Sequence, residues 1–500
     1  MDGVMIRNWG LIAGWVGAML CGCAQSTDVW QRKADEMKAA VLASPNPDPA
    51  SFTGTCYYVS LDGSDDNDGK SPERPIASLK KVGTLNLKPG DAVLFRRGDL
   101  YRHDNQIEDG KPGGAIVTQD GVTYSAWGEG DKPIICGSAR NYADPELWEE
   151  TRHPGIWKCT LPLRNVGLIT FDHDPRTVGK YGAICGTLVP PVLDMGPRGN
   201  FDFKCEPPLQ LRNDLEFWTD DDVKCLYLHS AENPGKRFKR IEIAQDTHGL
   251  RVLGKKGVVI DNLHVTLFGR HGVNGQSDVY DLEVKNCIFD YIGGSILWKK
   301  WRDRYNVRFG NAVEVYGSCH GYKVHDNWIY QIYDTGVTHQ ASYKAATEII
   351  HENVEYRNNL IEYCFWSIEY YNMFNKYGIT RNIHVHDNFC RFGGEGWGCP
   401  LRKEVTPMYS FVHHADETSN YRTENNIFQF SEGYIISHNK EPEPEGCLSF
   451  RGNTYIQKSG HKFARWSGKE IPAEKAAVEE FLNNVLHETD YHLFIVDEAK

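Results

Sequence analysis

Three short apolar segments, each after a turn, carry the side chains with the clearest chemical potential. They read Val313-Glu314-Val315, Val337-Thr338-His339 and Ile368-Glu369-Tyr370. In a strand, alternate residues face opposite sides. If the first and third members of each segment face inward, then Glu314, Thr338 and Glu369 share one outward-facing column.

Two carboxylates in such a column suit the hydrolysis of a glycosidic bond. One protonates the leaving oxygen, and the other activates water or attacks carbon. Neighbouring strands lie about 4.8 Å apart, so the backbones of Glu314 and Glu369 would be roughly 9–10 Å apart. Carboxyl separations of about 6.5–9.5 Å suit inversion and about 5–5.5 Å suit retention. The estimate favours inversion.

Asp334 lies in the turn before Val337 and can reach the same column. We therefore predict that Glu314, Asp334 and Glu369 act as acid, base or nucleophile. For each carboxylate alone, a solvated strand or turn residue is the alternative. Like charges stacked on one sheet face are unfavourable, however, unless a function requires them.

Polar and aromatic residues near these acids are candidates for holding a sugar. The predicted substrate-binding residues are His339, Gln340, Tyr370, Asn372, Trp397 and Arg308. Aromatic faces offer stacking surfaces, although ordinary packing is the alternative. Arg308 ends a basic run that would suit a uronate or sulfate, and a solvated loop is the alternative there.

A recurring asparagine motif indicates the element that positions these residues. Apolar–x–polar–Asn–x–apolar copies recur between residues 258 and 456, at Asn262, Asn286, Asn327, Asn359, Asn388, Asn426 and Asn453. Repeats of twenty-odd residues with variable insertions are typical of solenoids, and short apolar strands between polar turns make this a β-solenoid. Stacked coils would form an asparagine ladder and a long groove suited to a polymer.

The rhythm of the motif divides the chain. We predict a signal peptide at 1–23, a tether at 24–50, an N-terminal cap and first coils at 51–144, a small antiparallel β insertion at 145–245, the main solenoid at 246–457 and a C-terminal cap at 458–500. A helix from Pro472 to His487 would cover the last coil, which solenoids need.

The net charge and the N-terminal segment indicate which binding partners and which cellular compartment to expect. The net charge of −12 disfavours nucleic acid, and we expect a monomer. An apolar stretch from Leu11 to Leu20, too short to span a bilayer, fits a signal peptide. The ending Leu20-Cys21-Gly22-Cys23 resembles a bacterial lipoprotein cleavage box. Cys23 would then be acylated and anchor the chain to the outer membrane, facing periplasm or exterior; a simple secretory signal is the alternative.

Two blocks of sequence carry a family resemblance. Residues 57–72 together with 87–95 and 124–135 resemble the opening coils of right-handed parallel β-helix proteins of the pectin-lyase-like superfamily. Residues 305–315, 331–340, 366–372 and 393–398 resemble a β-helix group assigned to carbohydrate breakdown. The resemblance implies an all-β, right-handed parallel β-helix with a small β insertion and a C-terminal helix. It also implies a plant or algal polysaccharide as substrate.

Three functions stay open on the sequence. The first is a glycoside hydrolase. The second is a polysaccharide lyase acting on a uronate polymer, for which Lys323, Arg357 or Arg391 would be the base. The third is a non-catalytic glycan-binding solenoid. No cofactor is expected, with calcium at the acidic cluster Asp62–Asp68 as the alternative.

Overall fold

The computed structural model describes residues 23–497 apart from ten short segments. These segments are 105–112, 192, 196–200, 204–207, 302–303, 342–347, 373–377, 403–406, 413–416 and 439–445. The predicted signal peptide therefore lies outside the described residues, as does the side chain of Cys23.

Three long sheets of parallel strands wind along one axis, and each turn of the chain adds a strand to each sheet. Sheet 1 consists of Cys56–Val59, Ala92–Arg96, Thr123–Trp127, Val259–Asp261, Val279–Tyr280, Glu283–Lys285, Cys319–His320, Lys323–His325, Ile349–Arg357, Gly378–His386, Glu417–Glu424 and Leu448–Arg451. Sheet 2 consists of Leu100–Arg102, Ile134–Cys136, His264–Thr266, Ile288–Ile292, Trp328–Ile332, Leu360–Glu362, Phe389–Gly393, Ile427–Ser431, Thr454–Lys458 and His492–Val496. Sheet 3 consists of Gly114–Val117, His248–Leu253, Val273–Gln276, Val313–Tyr316, Thr335–Ala341, Trp366–Asn372, Pro407–Val412, Tyr434–His438, Lys462–Trp466 and the antiparallel Lys469–Pro472.

This arrangement is a parallel β-helix, right-handed as parallel crossovers are. Inward side chains of all three sheets meet in one continuous core that runs from Val59 to Leu486. The predicted fold class is confirmed.

A ladder of buried asparagine side chains joins successive turns. Each side-chain amide donates to the next oxygen: Asn327 to Asn359 at 3.0 Å, Asn359 to Asn388 at 2.9 Å, Asn388 to Asn426 at 2.9 Å and Asn426 to Asn453 at 3.0 Å. Glu488 ends the ladder by accepting from Asn453 at 2.8 Å. The ladder pairs backbone and side-chain polar groups that the core would otherwise leave unsatisfied.

Two asparagines predicted to belong to the ladder, Asn262 and Asn286, lie one residue before the ladder position of their turns. The backbone NH of Cys287 donates to Asn327 at 2.9 Å, so Cys287 occupies the ladder position of its turn. Asn286 and Asn262 precede that position, with φ values of 51° and 59°. Asparagine tolerates this left-handed conformation, which explains why both positions attract the same residue type.

An insertion lies beside the first half of the β-helix. Its strands are Trp148–Glu150, Ile156–Cys159, Leu168–Phe171, Ile184–Cys185, Thr187–Leu188, Leu193–Met195, Phe201–Phe203, Glu216–Asp220, Cys225–His229 and Ile241–Ala244. Most of them pair antiparallel. They enclose a second core that includes Phe171, Phe217 and Leu228.

The insertion meets the β-helix backbone to backbone. A Cβ at Gly167 would come within 2.4 Å of the nitrogen of Ser295, so only glycine fits there. Asn165 then exchanges two hydrogen bonds of 2.8 Å with the backbone of Ile296. Ile296 opens a hairpin formed by Ile296–Trp301 and Arg304–Arg308. The insertion is therefore fixed next to the strand that carries Glu314.

The described chain has five α-helices: α1 (Cys23–Leu42), α2 (Leu79–Val82), α3 (Pro234–Arg237), α4 (Cys399–Arg402) and α5 (Lys475–Asn484). Two 3-10 turns lie at Pro49–Ser51 and Pro145–Leu147. Helix α5 buries Val478, Phe481 and Leu482 against the last turn. None of the described helices has the length and apolarity that crossing a membrane requires.

Helix α1 occupies most of the segment predicted as a tether. Its residues Ala34, Met37 and Val41 are spaced three and four apart and are buried against sheet 2. Lys38 lies 3.5 Å from the carboxylate of Glu362, and Gln31 accepts a hydrogen bond from Arg391. The helix is thus packed along the β-helix over its second half.

Candidate active site

The outward column predicted from the sequence exists on sheet 3. Glu314 pairs in register with Thr338, and Thr338 pairs with Glu369. The flanking residues Val313 and Ile368 belong to the core, so the column points away from it.

The column does not form the floor of an open groove, which is a correction to the prediction. Glu314 is 4% exposed and Glu369 is 2% exposed. Side chains of the neighbouring turns cover them, so both carboxyl groups lie in a region largely closed to water.

Asn311 and Asn274 hold Glu314 in place. The amide of Asn311 donates to Oε2 of Glu314 at 2.5 Å. Asn274, in register with Glu314 on the preceding strand, donates to Oε1 at 3.2 Å. Asn311 also accepts from the backbone NH of Thr335 at 2.9 Å. One asparagine therefore connects this carboxyl group with the next strand of the sheet.

His271 lies beside Glu314. Its Nδ1 accepts from the backbone NH of Asn311 at 2.9 Å, and its Nε2 lies 3.3 Å from Oε1 of Glu314. Burial lowers the pKa of His271 to about 3, so the ring is neutral. Because Nδ1 accepts, Nε2 carries the proton and faces the carboxyl group.

Burial dominates the protonation of Glu314. Desolvation, with the nearby charge of Asp334, raises its pKa to about 8, although the asparagine hydrogen bonds act in the opposite direction. At neutral pH the side chain is therefore a carboxylic acid that can give up a proton.

Glu369 has a similar environment two turns away. The hydroxyl of Thr335 donates to its Oε2 at 3.1 Å, and the amide of Gln340 donates to the same oxygen at 2.9 Å. Burial raises the pKa of Glu369 well above its usual value, and the charges of Asp334 and Glu314 act in the same direction.

Asp334 carries the charge that acts on both glutamates. Its Oδ1 accepts from Arg402 at 2.6 Å, with the two side chains 15% and 14% exposed. Arg402 ends helix α4 and also lies over the ring of Phe365, 3.6 Å from its centre. The ion pair holds Asp334 beside two glutamates whose pKa values are raised, and environments that separate acid from base in this way are typical of catalytic sites.

Three predicted substrate-binding residues are corrected by the structure. The His339 ring is buried in the core, where it bonds the hydroxyl of Tyr356 at 2.9 Å and stacks on Tyr370. The Tyr370 ring is also in the core and its hydroxyl bonds Thr380 at 2.8 Å. Asn372 is fully buried on the same inward side of its strand. None of the three side chains faces the carboxylates.

Arg308 and Trp397 both pack against Tyr333, the residue before Asp334, and lie next to each other. The guanidinium of Arg308 lies 4.5 Å from the centre of the Tyr333 ring and donates to the carbonyl of Gly167 at 2.7 Å. Trp397 lies 5.3 Å from the same ring. Arg308 therefore fastens the insertion to the β-helix, and it does not project from a basic loop as predicted.

Gln340 is the one predicted binding residue that reaches a catalytic candidate, through its bond to Glu369. Sequence reasoning missed Asn274, His271, Asn311 and Arg402. Asn274 could have been found, because it belongs to the same outward column as Glu314. Arg402 could not, since nothing in the chain relates α4 to the turn at Asp334.

The basic residues predicted for a lyase lie elsewhere. Lys323 and Arg357 are on sheet 1, and Arg357 pairs with Asp326 at 3.2 Å. Arg391 is on sheet 2, where it contacts Glu362. None of them shares the sheet of Glu314 and Glu369.

The acidic cluster at 62–68 has protein partners at three of its carboxylates. Asp65 accepts from the backbone of Ala77 and Ser78 at 3.0 Å each, Asp68 accepts from the backbone NH of Lys70 at 3.3 Å, and Asp62 pairs with Arg96. Calcium at this cluster stays a prediction. In the described part of the chain, one set of side chains has metal-ligand spacing, namely Glu355, His384 and His386 on sheet 1.

Comparison with known proteins gives structural similarity alone. No family model matches the chain, and no curated protein matches it. A solved glycoside hydrolase is 9% identical with a TM-score of 0.42, covering 89% of this chain and 97% of that one. A rhamnogalacturonan lyase is 10% identical with a TM-score of 0.38, covering 83% and 87%. A lacto-N-biosidase of Eubacterium ramulus is 13% identical with a TM-score of 0.33, covering 89% and 68%.

Proposed function

We propose that this protein is a glycoside hydrolase acting on a complex plant or algal polysaccharide or its oligosaccharides. One observation carries the proposal: two buried acids, Glu314 and Glu369, stand in one column of sheet 3 beside the ion pair of Asp334 with Arg402. Hydrolysis of a glycosidic bond needs an acid that keeps its proton and a carboxylate that does not.

Glu314 is the proton donor in this proposal. Its pKa of about 8 keeps the proton at neutral pH while leaving it close enough to be transferred. Hydrogen bonds from Asn274 and Asn311 stabilise the carboxylate that remains once the proton has moved to the leaving oxygen, and Nε2 of His271 lies 3.3 Å from it.

Asp334 is the base or nucleophile. Arg402 holds its charge and fixes its orientation through a 2.6 Å ion pair. The side chains of Asp334 and Arg402, at 15% and 14% exposure, are more accessible than either glutamate. The sugar would therefore approach from their side of the column.

Glu369 is the second acid of the column. Burial raises its pKa well above the usual value, and the charges of Asp334 and Glu314 act in the same direction. Two turns from Glu314, it can hydrogen-bond a sugar hydroxyl or share the proton-donor role.

The test is hydrolysis of a panel of polysaccharides by the wild type and by Glu314→Gln and Glu369→Gln. New reducing ends without unsaturated, ultraviolet-absorbing products identify a hydrolase. We expect each variant to lose about 10²-fold or more in kcat, the usual range for losing a general acid or base. Circular dichroism should be unchanged, because glutamine keeps the shape of the side chain.

Glu352→Gln is the matched control, since Glu352 faces outward on sheet 1 in an ion pair with Arg381. It should hydrolyse at the wild-type rate. Wild-type rates in both site variants would contradict the proposal, as would unsaturated products, which indicate a lyase. Binding without turnover across the panel would favour the glycan-binding solenoid.

A further inference from the structure

Two turns of sheet 1 carry nearly the same five residues. One reads Lys323-Val324-His325-Asp326-Asn327 and the other reads His384-Val385-His386-Asp387-Asn388. In both, the valine faces the core and the asparagine joins the ladder. The copies differ at their first, outward-facing position, where one has lysine and the other histidine.

The histidine copy gathers three ligand-type side chains on adjacent strands. Glu355 is in register with His384 on the next strand. One ligand atom each of Glu355, His384 and His386 lies within 4.8 Å of the others. The two imidazole rings are stacked 3.9 Å apart at 24°. Their side chains are 22% and 17% exposed, so a dissolved ion can reach them.

The hydrogen bonds of His386 leave its Nε2 as the nitrogen that could bind an ion. Its Nδ1 bonds Oδ2 of Asp387 at 2.7 Å, and its Nε2 faces Oε1 of Glu355 at 3.2 Å. A histidine that ligates a metal commonly donates its other ring NH to a carboxylate, which fixes the tautomer. Asp387 supplies that carboxylate.

We propose that Glu355, His384 and His386 form a binding site for a divalent transition metal of the zinc type. Two imidazoles and one carboxylate are the donor set that such ions prefer over calcium or magnesium. Ligands about 2 Å from zinc lie about 3.3 Å apart in a tetrahedron. The three side chains would have to close by about 1.5 Å at most, which rotation of surface side chains allows.

The charged groups around the three ligands are compatible with a bound cation. Glu424 accepts from His384 at 2.8 Å and adds a second carboxylate beside the site. Two guanidinium groups are close: Arg422 is 4.0 Å from Glu424, and Arg357 is 3.6 Å from Oε2 of Glu355. Arg357 is shared with Asp326. It contacts Oε2 of Glu355, whereas Oε1 of Glu355 faces His386.

The site is separate from the proposed catalytic column, because it lies on sheet 1 and the column lies on sheet 3. Its ligands come from two neighbouring strands, so the ion would join consecutive turns of the β-helix. A ligand that binds only the folded chain stabilises it in proportion to its affinity and concentration.

The lysine copy provides the matched control. His325 bonds Glu283 at 3.0 Å and Asp326 at 2.5 Å, which repeats the arrangement of His386 with Glu355 and Asp387. Lys323 stands where the other copy has His384. This turn therefore offers one histidine and one glutamate, together with a competing positive charge.

The experiment is calorimetric titration of the full chain, treated with chelator and dialysed, with zinc chloride. We expect one saturable site, and at least about tenfold weaker binding in His384→Lys and in His386→Gln, since each removes one of three ligands. His325→Gln should bind zinc like the wild type. Zinc should raise the melting temperature of the wild type and of His325→Gln, but not that of His384→Lys.

Two results would overturn the proposal. One is the absence of saturable binding by a folded wild-type chain. The other is equal loss of binding in His325→Gln and in the two site variants, which would mean that surface histidines take up zinc without a defined site. If His384→Lys fails to fold, His386→Gln decides between these outcomes.

Discussion

Two hydrogen-bond donors and the burial of the side chain have opposite effects on the pKa of Glu314. The donors, Asn274 and Asn311, favour the ionised form. Burial and the charge of Asp334 favour the protonated form and outweigh them, because the pKa ends at about 8. A small change in this environment should therefore move the pH at which the acid loses its proton.

The proposed acid sets the alkaline limit of activity. Because the pKa of Glu314 is raised to about 8, the proton is present below that value and lost above it. We expect kcat/KM to fall as the pH rises through about 8. A profile that stays flat well above that pH would contradict the assignment of Glu314 as proton donor.

Asn274 offers a test that does not remove the acid itself. Its hydrogen bond lowers the pKa of Glu314, so Asn274→Ala should shift the alkaline limb of the profile to higher pH. The measurement is kcat/KM against pH for the variant and the wild type. A shift to lower pH, or none, would mean that Asn274 does not act through Glu314.

Strand alternation was enough to place Glu314, Thr338 and Glu369 in one column. The same alternation puts His339 and Tyr370 inside, so their assignment to substrate contradicted the rule that found the acids. Burial of the column could not be predicted from the sequence, since the residues around it come from other turns. Arg402 illustrates this, because it lies 68 residues after Asp334, the aspartate with which it forms an ion pair.

At the scale of the element, the ladder explains how turns of unequal length stay in register. Its members are separated by 32, 29, 38 and 27 residues along the chain, yet their side chains remain in hydrogen-bond contact. The strands thus repeat regularly, and the variation in length is confined to the connections between them.

Asn388 tests the ladder in the middle of the β-helix. It donates to the carbonyl of Tyr356 at 2.8 Å and to Asn426, and it accepts from Asn359. Asn388→Ala leaves these buried groups unpaired, at about 1–3 kcal/mol each before relaxation. We expect the free energy of unfolding to fall by about 2–4 kcal/mol in urea denaturation.

Asn358→Gly is the matched control for that variant. Asn358 precedes the ladder position and has a φ of 50°, which glycine adopts without strain. Its unfolding midpoint should stay close to that of the wild type. Equal midpoints for Asn388→Ala and the wild type would show that the ladder contributes little.

The motif that predicted the ladder does not distinguish the asparagines of the ladder from those of the turns beside it. Asn262 and Asn286 match the pattern but occupy the left-handed turn position. Asparagine suits both positions for different reasons: one needs a tolerant backbone and the other needs an amide that both donates and accepts. Only the pairing of strands distinguishes the two.

At the scale of the whole molecule, the β-helix, the insertion and the terminal helices have separate tasks. The β-helix supplies the register of the carboxylates, and the insertion is fixed beside them through Asn165 and Arg308. Helix α5 covers the last turn. The insertion interrupts the repeat of the motif, but its contact with the β-helix depends on a close approach of Gly167 to the backbone of Ser295 that no sequence pattern reveals.

A variant of Cys23 tests the proposed lipid anchor. We propose that Cys23 is acylated and fixes the protein to the outer membrane. Cys23→Ala should therefore abolish lipid on the N-terminal peptide, detected by mass spectrometry, and move the protein from the membrane to the soluble fraction. Cys21→Ala should leave the protein with the membrane. An unmodified N-terminus in the wild type would instead support a simple secretory signal.

Helix α1 limits the distance between such an anchor and the β-helix. The helix begins at Cys23, and Trp30 already packs near Phe389 and Phe494. Seven residues of helix span roughly 10 Å. A lipid on Cys23 would therefore hold the β-helix close to the surface of the bilayer and leave it little freedom to move outward. Such a protein would work on glycans delivered to the membrane surface, and distant fibres would be beyond its reach.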